Sequence, residues 1–243
     1  MKMLNKFLAL VLFTPTFMFA EATTDNVIKL DQAGDTLTLT IDQIGYGNKL
    51  CGSIASGLCN SAMVITGTTN TINFDMIGNL NKIYGPVILD QSTLSVNMTG
   101  DSNNWDWTIG ASGSADSSNL LSTWTGDSNT MNLDWGAAQS AERLDFDLDV
   151  TGSSNVFTTI IEVDDARYDV DVTGSSNDVN TSQTDGAYHK IDLELIQSSG
   201  NIDIVQSSGT CPQGVSSCHS EIIADFDSEN ATITINQKDT GDN

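Results

Sequence analysis

The sequence predicts an all-β protein wound as a parallel β-solenoid of about eight two-strand rungs, with a repeat near 22–26 residues. Three observations predict it. A phrase containing Gly-x-x-Asn recurs along the chain, as "MTGDSNNW" from Met98, "WTGDSNTM" from Trp124, "VTGSSNVF" from Val150 and "VTGSSNDV" from Val172. Apolar and polar residues alternate on both sides of each phrase. Gly, Ser, Thr, Asn and Asp are abundant throughout, a composition that suits strands and turns better than helices.

The repeat sets the architecture, because copied phrases mark structural units more often than catalytic ones. With the Asn of each phrase as marker, Asn103, Asn129, Asn155 and Asn177 define the series, and "QIGYGN" (Asn48) and "ITGTTN" (Asn70) fit it. Gly200 and Ala231 hold the marker position in two degraded copies. The intervals are 22, 33, 26, 26, 22, 23 and 31 residues, and a related "MIGNLN" (Asn81) falls inside the longest. A near-constant period favours rungs stacked in parallel over a meander. The turns are expected to form a ladder of Gly45, Asn48, Gly67, Asn70, Gly100, Asn103, Gly126, Asn129, Gly152, Asn155, Gly174 and Asn177. Gly and Asn tolerate the positive φ of a tight bend, and stacked Asn side chains can bond to one another.

The strands follow from period-two alternation, which buries one face. Before the marker stand "LTLTID" from Leu37, "LDFDLDV" from Leu144, "YDVDV" from Tyr168 and "IDLEL" from Ile191. After it come Ile72, Phe74 and Met76, then Trp105, Trp107 and Ile109, then Met131, Leu133 and Trp135. The tryptophans on this period belong in the core, in preference to a sugar-binding platform. The return stretches vary in length, as loops that accept insertions do.

Residues 1–20 read as an export signal. Lys2 and Lys6 precede the apolar "FLALVLF", and Ala20 ends a plausible cleavage site. Residues 21–30 form an N-terminal segment, and 31–243 the repeat domain. Cys-loop insertions fall near 51–59 and 211–218. In an exported chain Cys51 with Cys59, and Cys211 with Cys218, are expected to form two small disulfide loops. No other apolar stretch could span a bilayer, so the expected location is secreted, extracellular or on the outer cell surface.

Nine Lys and Arg oppose thirty-two Asp and Glu, a formal net charge of −23. Nucleic acid is excluded as a partner, since phosphate binding needs clustered basic residues. Counting back from the markers brings Asp149, Asp171 and Glu194 into one column, and Asp147, Asp169 and Asp192 into another. Like charges about 5 Å apart repel by roughly 1 kcal/mol per pair in water. Calcium, which prefers several oxygen ligands, is the natural counter-ion, although no EF-hand or glycine-rich calcium repeat is present. The bland reading is a solvated acidic face, and no cofactor is required. Catalysis is not expected: His189 and His219 are the only histidines, and acids that recur from rung to rung do not single out one site.

"QIGYGN" from Gln43, the strand–turn–strand unit and the period near 22 together resemble the curlins, secreted subunits of bacterial surface amyloid fibres. Only Gln43 keeps that family's Gln before the Gly; Ile65, Met98, Trp124, Val150 and Val172 replace it later. The resemblance implies assembly with further copies, or with a related nucleating subunit.

Neither end shows a helix-like pattern, so both ends of the solenoid should offer strand edges. The expected polymerisation edges are Leu37–Gln43, with Leu39 and Ile41, and Thr232–Gln237, with Ile233 and Ile235. A contact of this kind that does not close yields a filament. The expectation is a non-enzymatic subunit of an extracellular fibre or biofilm matrix, stacking head to tail. The alternatives are a monomeric cation-dependent adhesin or carbohydrate-binding solenoid on a host or matrix surface, and, third, a polysaccharide-active β-helix enzyme.

Overall fold

The computed structural model describes residues 27–45, 49–51, 63–87, 90–109, 117–136, 141–184, 188–208 and 220–239. The expected export signal (1–20), Asn48, Cys59, Cys211 and Cys218 lie outside these. Of Cys51, only the backbone, closing the strand Lys49–Cys51, is described.

The alternating segments form strands, and the strands stack in parallel as two long faces of a solenoid. The first face runs from Thr38–Ile44 through Thr71–Ile77, Thr93–Thr99, Asn119–Thr125, Asp145–Ser153 and Arg167–Ser175. The second runs from Val27–Lys29 through Lys49–Cys51, Lys82–Val87, Asn104–Ile109, Thr130–Trp135, Val156–Ile161 and Asn177–Gln183. Up to the last two coils each strand pairs with the one a full coil away and skips its sequence neighbour. Thr93 lies on Thr71, Asn119 on Thr93, and Asp145 on Asn119.

The rungs are not eight equal two-strand units. The last two coils are single 19-residue strands, Lys190–Ser208 and Glu221–Asp239, that serve both faces. These are the coils in which Gly200 and Ala231 replace the marker Asn, so the tight bend gives way to continuous strand. Two short pairs, Asp31–Ala33 on Val64–Thr66 and Ala141–Glu142 on Val163–Asp164, add a partial third side.

Alternate side chains of both faces fill one apolar core. Phe74, Trp105, Trp107, Trp124, Trp135, Phe146, Phe157 and Tyr168 are buried in it, each worth roughly 1.5–3 kcal/mol in transfer free energy. Trp105 stacks on Trp124 with ring centroids 6.1 Å apart, and Trp107 meets Trp105 edge-on at 4.8 Å. With all four tryptophans buried, none can serve as a surface platform. Phe146 stacks on Tyr168 at 4.7 Å. The Tyr168 hydroxyl lies 3.2 Å from Thr159 Oγ1 on the opposite face. Burial pushes the phenol up to about 12 despite hydrogen bonds from Thr159 and Thr181, so it stays protonated. Among the described residues no helix is long and apolar enough to cross a membrane.

Candidate functional site

Where the first face turns into the second, every tight bend from Gly78 to Asn177 has one form. A glycine takes φ near +130, the second residue after it takes φ near +60, and a buried residue follows. Gly152 (φ 143), Ser154 (φ 60) and Asn155 are one such set, and Gly174 (φ 148), Ser176 (φ 57) and Asn177 the next. Glycine is required here for a second reason. A Cβ on Gly152 would run into the carbonyl oxygen of Gly126, and one on Gly174 into that of Gly152. Backbones of consecutive coils touch at this corner.

Two hydrogen-bond columns of opposite sense close each gap. The N–H of Asn81 donates to Asn103 Oδ1 (2.8 Å), that of Asn103 to Asn129 Oδ1 (2.8 Å), that of Asn129 to Asn155 Oδ1 (2.8 Å) and that of Asn155 to Asn177 Oδ1 (3.0 Å). The expected ladder is thus mainly backbone to side chain, with Asn155 Nδ2 to Asn177 Oδ1 as a side-chain link at 3.1 Å. One position after each glycine the direction reverses. The N–H of Asp101 donates to Asn79 Oδ1, that of Asp127 to Asp101 Oδ1 and that of Ser153 to Asp127 Oδ1.

Gly67 and Asn70 do not belong to this ladder. They sit at the opposite corner, where the second face returns to the first, and a Cβ on Gly67 would strike the Gly34 carbonyl. Asn70 Oδ1 accepts from the Leu37 N–H at 2.9 Å, and the Asn70 N–H donates to Ser92 Oγ at 3.0 Å. The member of the first ladder in that coil is the Gly78–Asn81 bend, because Gly45 donates its N–H to Ile77 and Lys49 lies on Lys82. The 33-residue interval therefore precedes the 22-residue one. "MIGNLN" carried the right spacing, but "ITGTTN" carries the same Gly-x-x-Asn chemistry, and both corners use it.

The two acidic columns form in register on the outside of the first face. Asp149 lies on Asp171 and Asp171 on Glu194, while Asp147 lies on Asp169 and Asp169 on Asp192. Asp225 extends the first column past Glu194. Arg167 and Lys190 border the array: Arg167 Nη2 is 3.0 Å from Asp169 Oδ2, and Lys190 Nζ is 3.2 Å from Asp192 Oδ2. Partial burial, then the neighbouring Asp149, Asp169 and Asp145, hold the Asp147 carboxyl above the usual carboxylate range, with Arg167 pulling the other way. Asp171 is raised by burial and by Asp169, Glu194, Asp149 and Asp147. Among the described residues no three His, Cys, Asp or Glu side chains converge to hold a metal ion. The acids stack along the fold axis instead of pointing at a common centre.

The third feature is a glutamine column in the second face. Gln206 Nε2 donates to Gln183 Oε1 at 3.0 Å, and Gln237 Nε2 to Gln206 Oε1 at 2.9 Å. Gln183 and Gln206 are buried, whereas Gln237 is in the terminal coil with Ile233 (36% exposed) and Ile235 (41%). At the other end Leu39 and Ile41 are half-buried and Gln43 is buried. The two expected edges are therefore at opposite ends but on different faces. Leu37–Gln43 belongs to the first face and Thr232–Gln237 to the second, so they are not each other's continuation. Sequence reading did not single out Gln183 and Gln206, although "VNTSQ", "IDIVQ" and "ITINQ" share their form.

No protein-family model matches the chain, and neither the curated proteins nor the solved structures include a match.

Proposed function

We propose that this protein is a secreted, curlin-like structural subunit that assembles end to end into an extracellular fibre or matrix. One observation carries the reading. Among the described residues, Thr38–Ile44, Val27–Lys29 and Glu221–Asp239 each pair with a partner strand on one side only. Parallel edges of this kind expose a row of N–H and C=O groups that a further copy can satisfy. The apolar column does not close either: Ile233 and Ile235 are partly exposed in the last coil. The glutamine ladder supports the same reading, because it runs into the terminal coil at Gln237. The leader-like residues 1–20 support export.

Electron microscopy and thioflavin binding at neutral and acidic pH, with and without calcium, test the proposal. Unbranched filaments that grow from added seeds are expected. A chain that stays monomeric under all these conditions removes it.

A second reading, a monomeric adhesin that holds cations on its acidic face, rests on the two in-register carboxylate columns. Calorimetric titration with calcium separates it: saturable binding by a persistent monomer favours the adhesin.

A further inference from the structure

We infer that copies of this chain join through their second faces alone, with Thr232–Lys238 of one copy laid in parallel register on Val27–Ala33 of the next. The inference rests on the fibre reading and assigns its junction. The strand registers connect the two segments. Val27 lies on Lys49, and Lys49 on Lys82. From Lys82 the same column continues coil by coil to Asn201 and Thr232. A second column passes from Val87 through Trp135 to Gln183, Gln206 and Gln237. At its start Gln32 pairs with Ile65, and the Thr68–Asp90 bridge aligns Ile65 with Val87. Gln32 thus holds the first position of the column that Gln237 ends.

The two end segments are written alike. "IKLDQ" (28–32) matches "ITINQ" (233–237) and also "IDIVQ" (202–206), the segment on which the latter lies. Laid in register, Ile28 follows Ile233, Leu30 follows Ile235 and Gln32 follows Gln237. Gln206 and Gln237 each donate Nε2 to the glutamine of the preceding coil. Gln237 is thus the last described member of the ladder, and Gln32 of the next copy takes the following register position.

Topology excludes the first-face alternative, and charge weighs against it. Stacking Glu221–Asp227 on Thr38–Ile44 would set Asp225 directly against Asp42, a like-charge pair. The second face also carries one strand more than the first, since Val27–Lys29 extends beyond Lys49–Cys51 while nothing described extends beyond Thr38–Ile44. Direct first-face pairing would drive that extra strand into Thr232–Gln237. The second-face register instead sets Asp31 across from Asn236 and Ala33 across from Lys238, with no like charges opposed. It leaves the first face open by one strand at each joint.

Asp31 and Asn236 are both exposed, so adding charge at 236 and reversing it at 31 tests the junction without disturbing the core. Association of the full chain is measured by sedimentation velocity, and seeded growth by light scattering. Asn236→Asp should slow growth about fourfold at low salt, because it opposes Asp31 across about 5 Å. Asn236→Lys should accelerate it, and Asn236→Asp combined with Asp31→Lys should restore it. Asp225→Lys should leave the rate within about twofold. Growth that ignores the Asn236 variants but accelerates with Asp225→Lys overturns this junction while leaving the fibre reading intact. Absence of any association by the wild-type chain overturns both.

Discussion

The N–H of Asn129 donates to the side-chain oxygen of Asn155 at 2.8 Å, across 26 residues of sequence and one full coil of the solenoid. Asn103, Asn129, Asn155 and Asn177 each close a neighbour's backbone in this way, so the ladder satisfies N–H groups that would otherwise be orphaned inside a dry corner.

Asn155→Ala removes that acceptor and leaves the Asn129 N–H buried without a partner. The expected loss is about 1–3 kcal/mol in denaturant unfolding. Asn155→Asp keeps an oxygen in place but buries a carboxylate, whose pKa in the folded state must rise. The folded form then binds more protons than the unfolded one, so this variant should lose stability as pH rises through that folded pKa and recover on acidification. A pH-independent loss would contradict the burial argument.

Gly152→Ala should cost about 3 kcal/mol or more, from the positive φ and from the Cβ placed on the Gly126 carbonyl. Ser154→Gly at the neighbouring bend position, with φ 60, is the contrasting substitution. It relieves a left-handed backbone and should be neutral or stabilising by up to about 1 kcal/mol. The two melting curves should move in opposite directions or differ by several degrees.

Asp147 and Asp171 have folded-state pKa values raised by burial and by their acidic neighbours. A raised acid pKa means that the folded state is penalised at neutral pH, and that the penalty is relieved as pH falls through the raised value toward the ordinary one. Thermal stability should therefore rise on mild acidification from neutral pH and also with added salt. Asp171→Asn should stabilise at pH 7 and have little effect near pH 4. Stability that falls from pH 7 downward in both proteins would show that other groups dominate.

Gln206→Ala interrupts the column between Gln183 and Gln237. It strands the buried Gln183 oxygen and opens a cavity, while Gln237 Nε2 keeps the Ser220 carbonyl, so a loss of about 2 kcal/mol or more is expected. Gln237→Ala, in the partly exposed last coil, should cost far less in monomer stability, yet slow end-to-end growth. Equal losses at both positions would argue against a column that ends at an open interface.

Much of the solenoid was legible because its determinants are local and repeated. Alternation at Leu144–Val150 or Trp105–Ile109 assigns inward and outward residues without any knowledge of partners, and the same period placed Trp105, Trp107 and Trp135 in the core. The acid columns were legible for the same reason, since constant offsets from Asn155, Asn177 and Gly200 translate directly into register. The corners were harder. Asn70 and Asn81 share one chemical signature, and local sequence says only that a tight bend is needed, not which of two corners it turns.

The sequence by itself determined strands, inward periodicity and the need for tight, asparagine-bearing bends, because backbone sterics and side-chain alternation act over a few residues. Only the tertiary structure decided which bends share a column, that the last two coils run through without one, and that Leu37–Gln43 and Thr232–Gln237 lie on different faces. Those properties depend on the length of each return loop, which advances the chain around the coil without changing the pattern on either side of it.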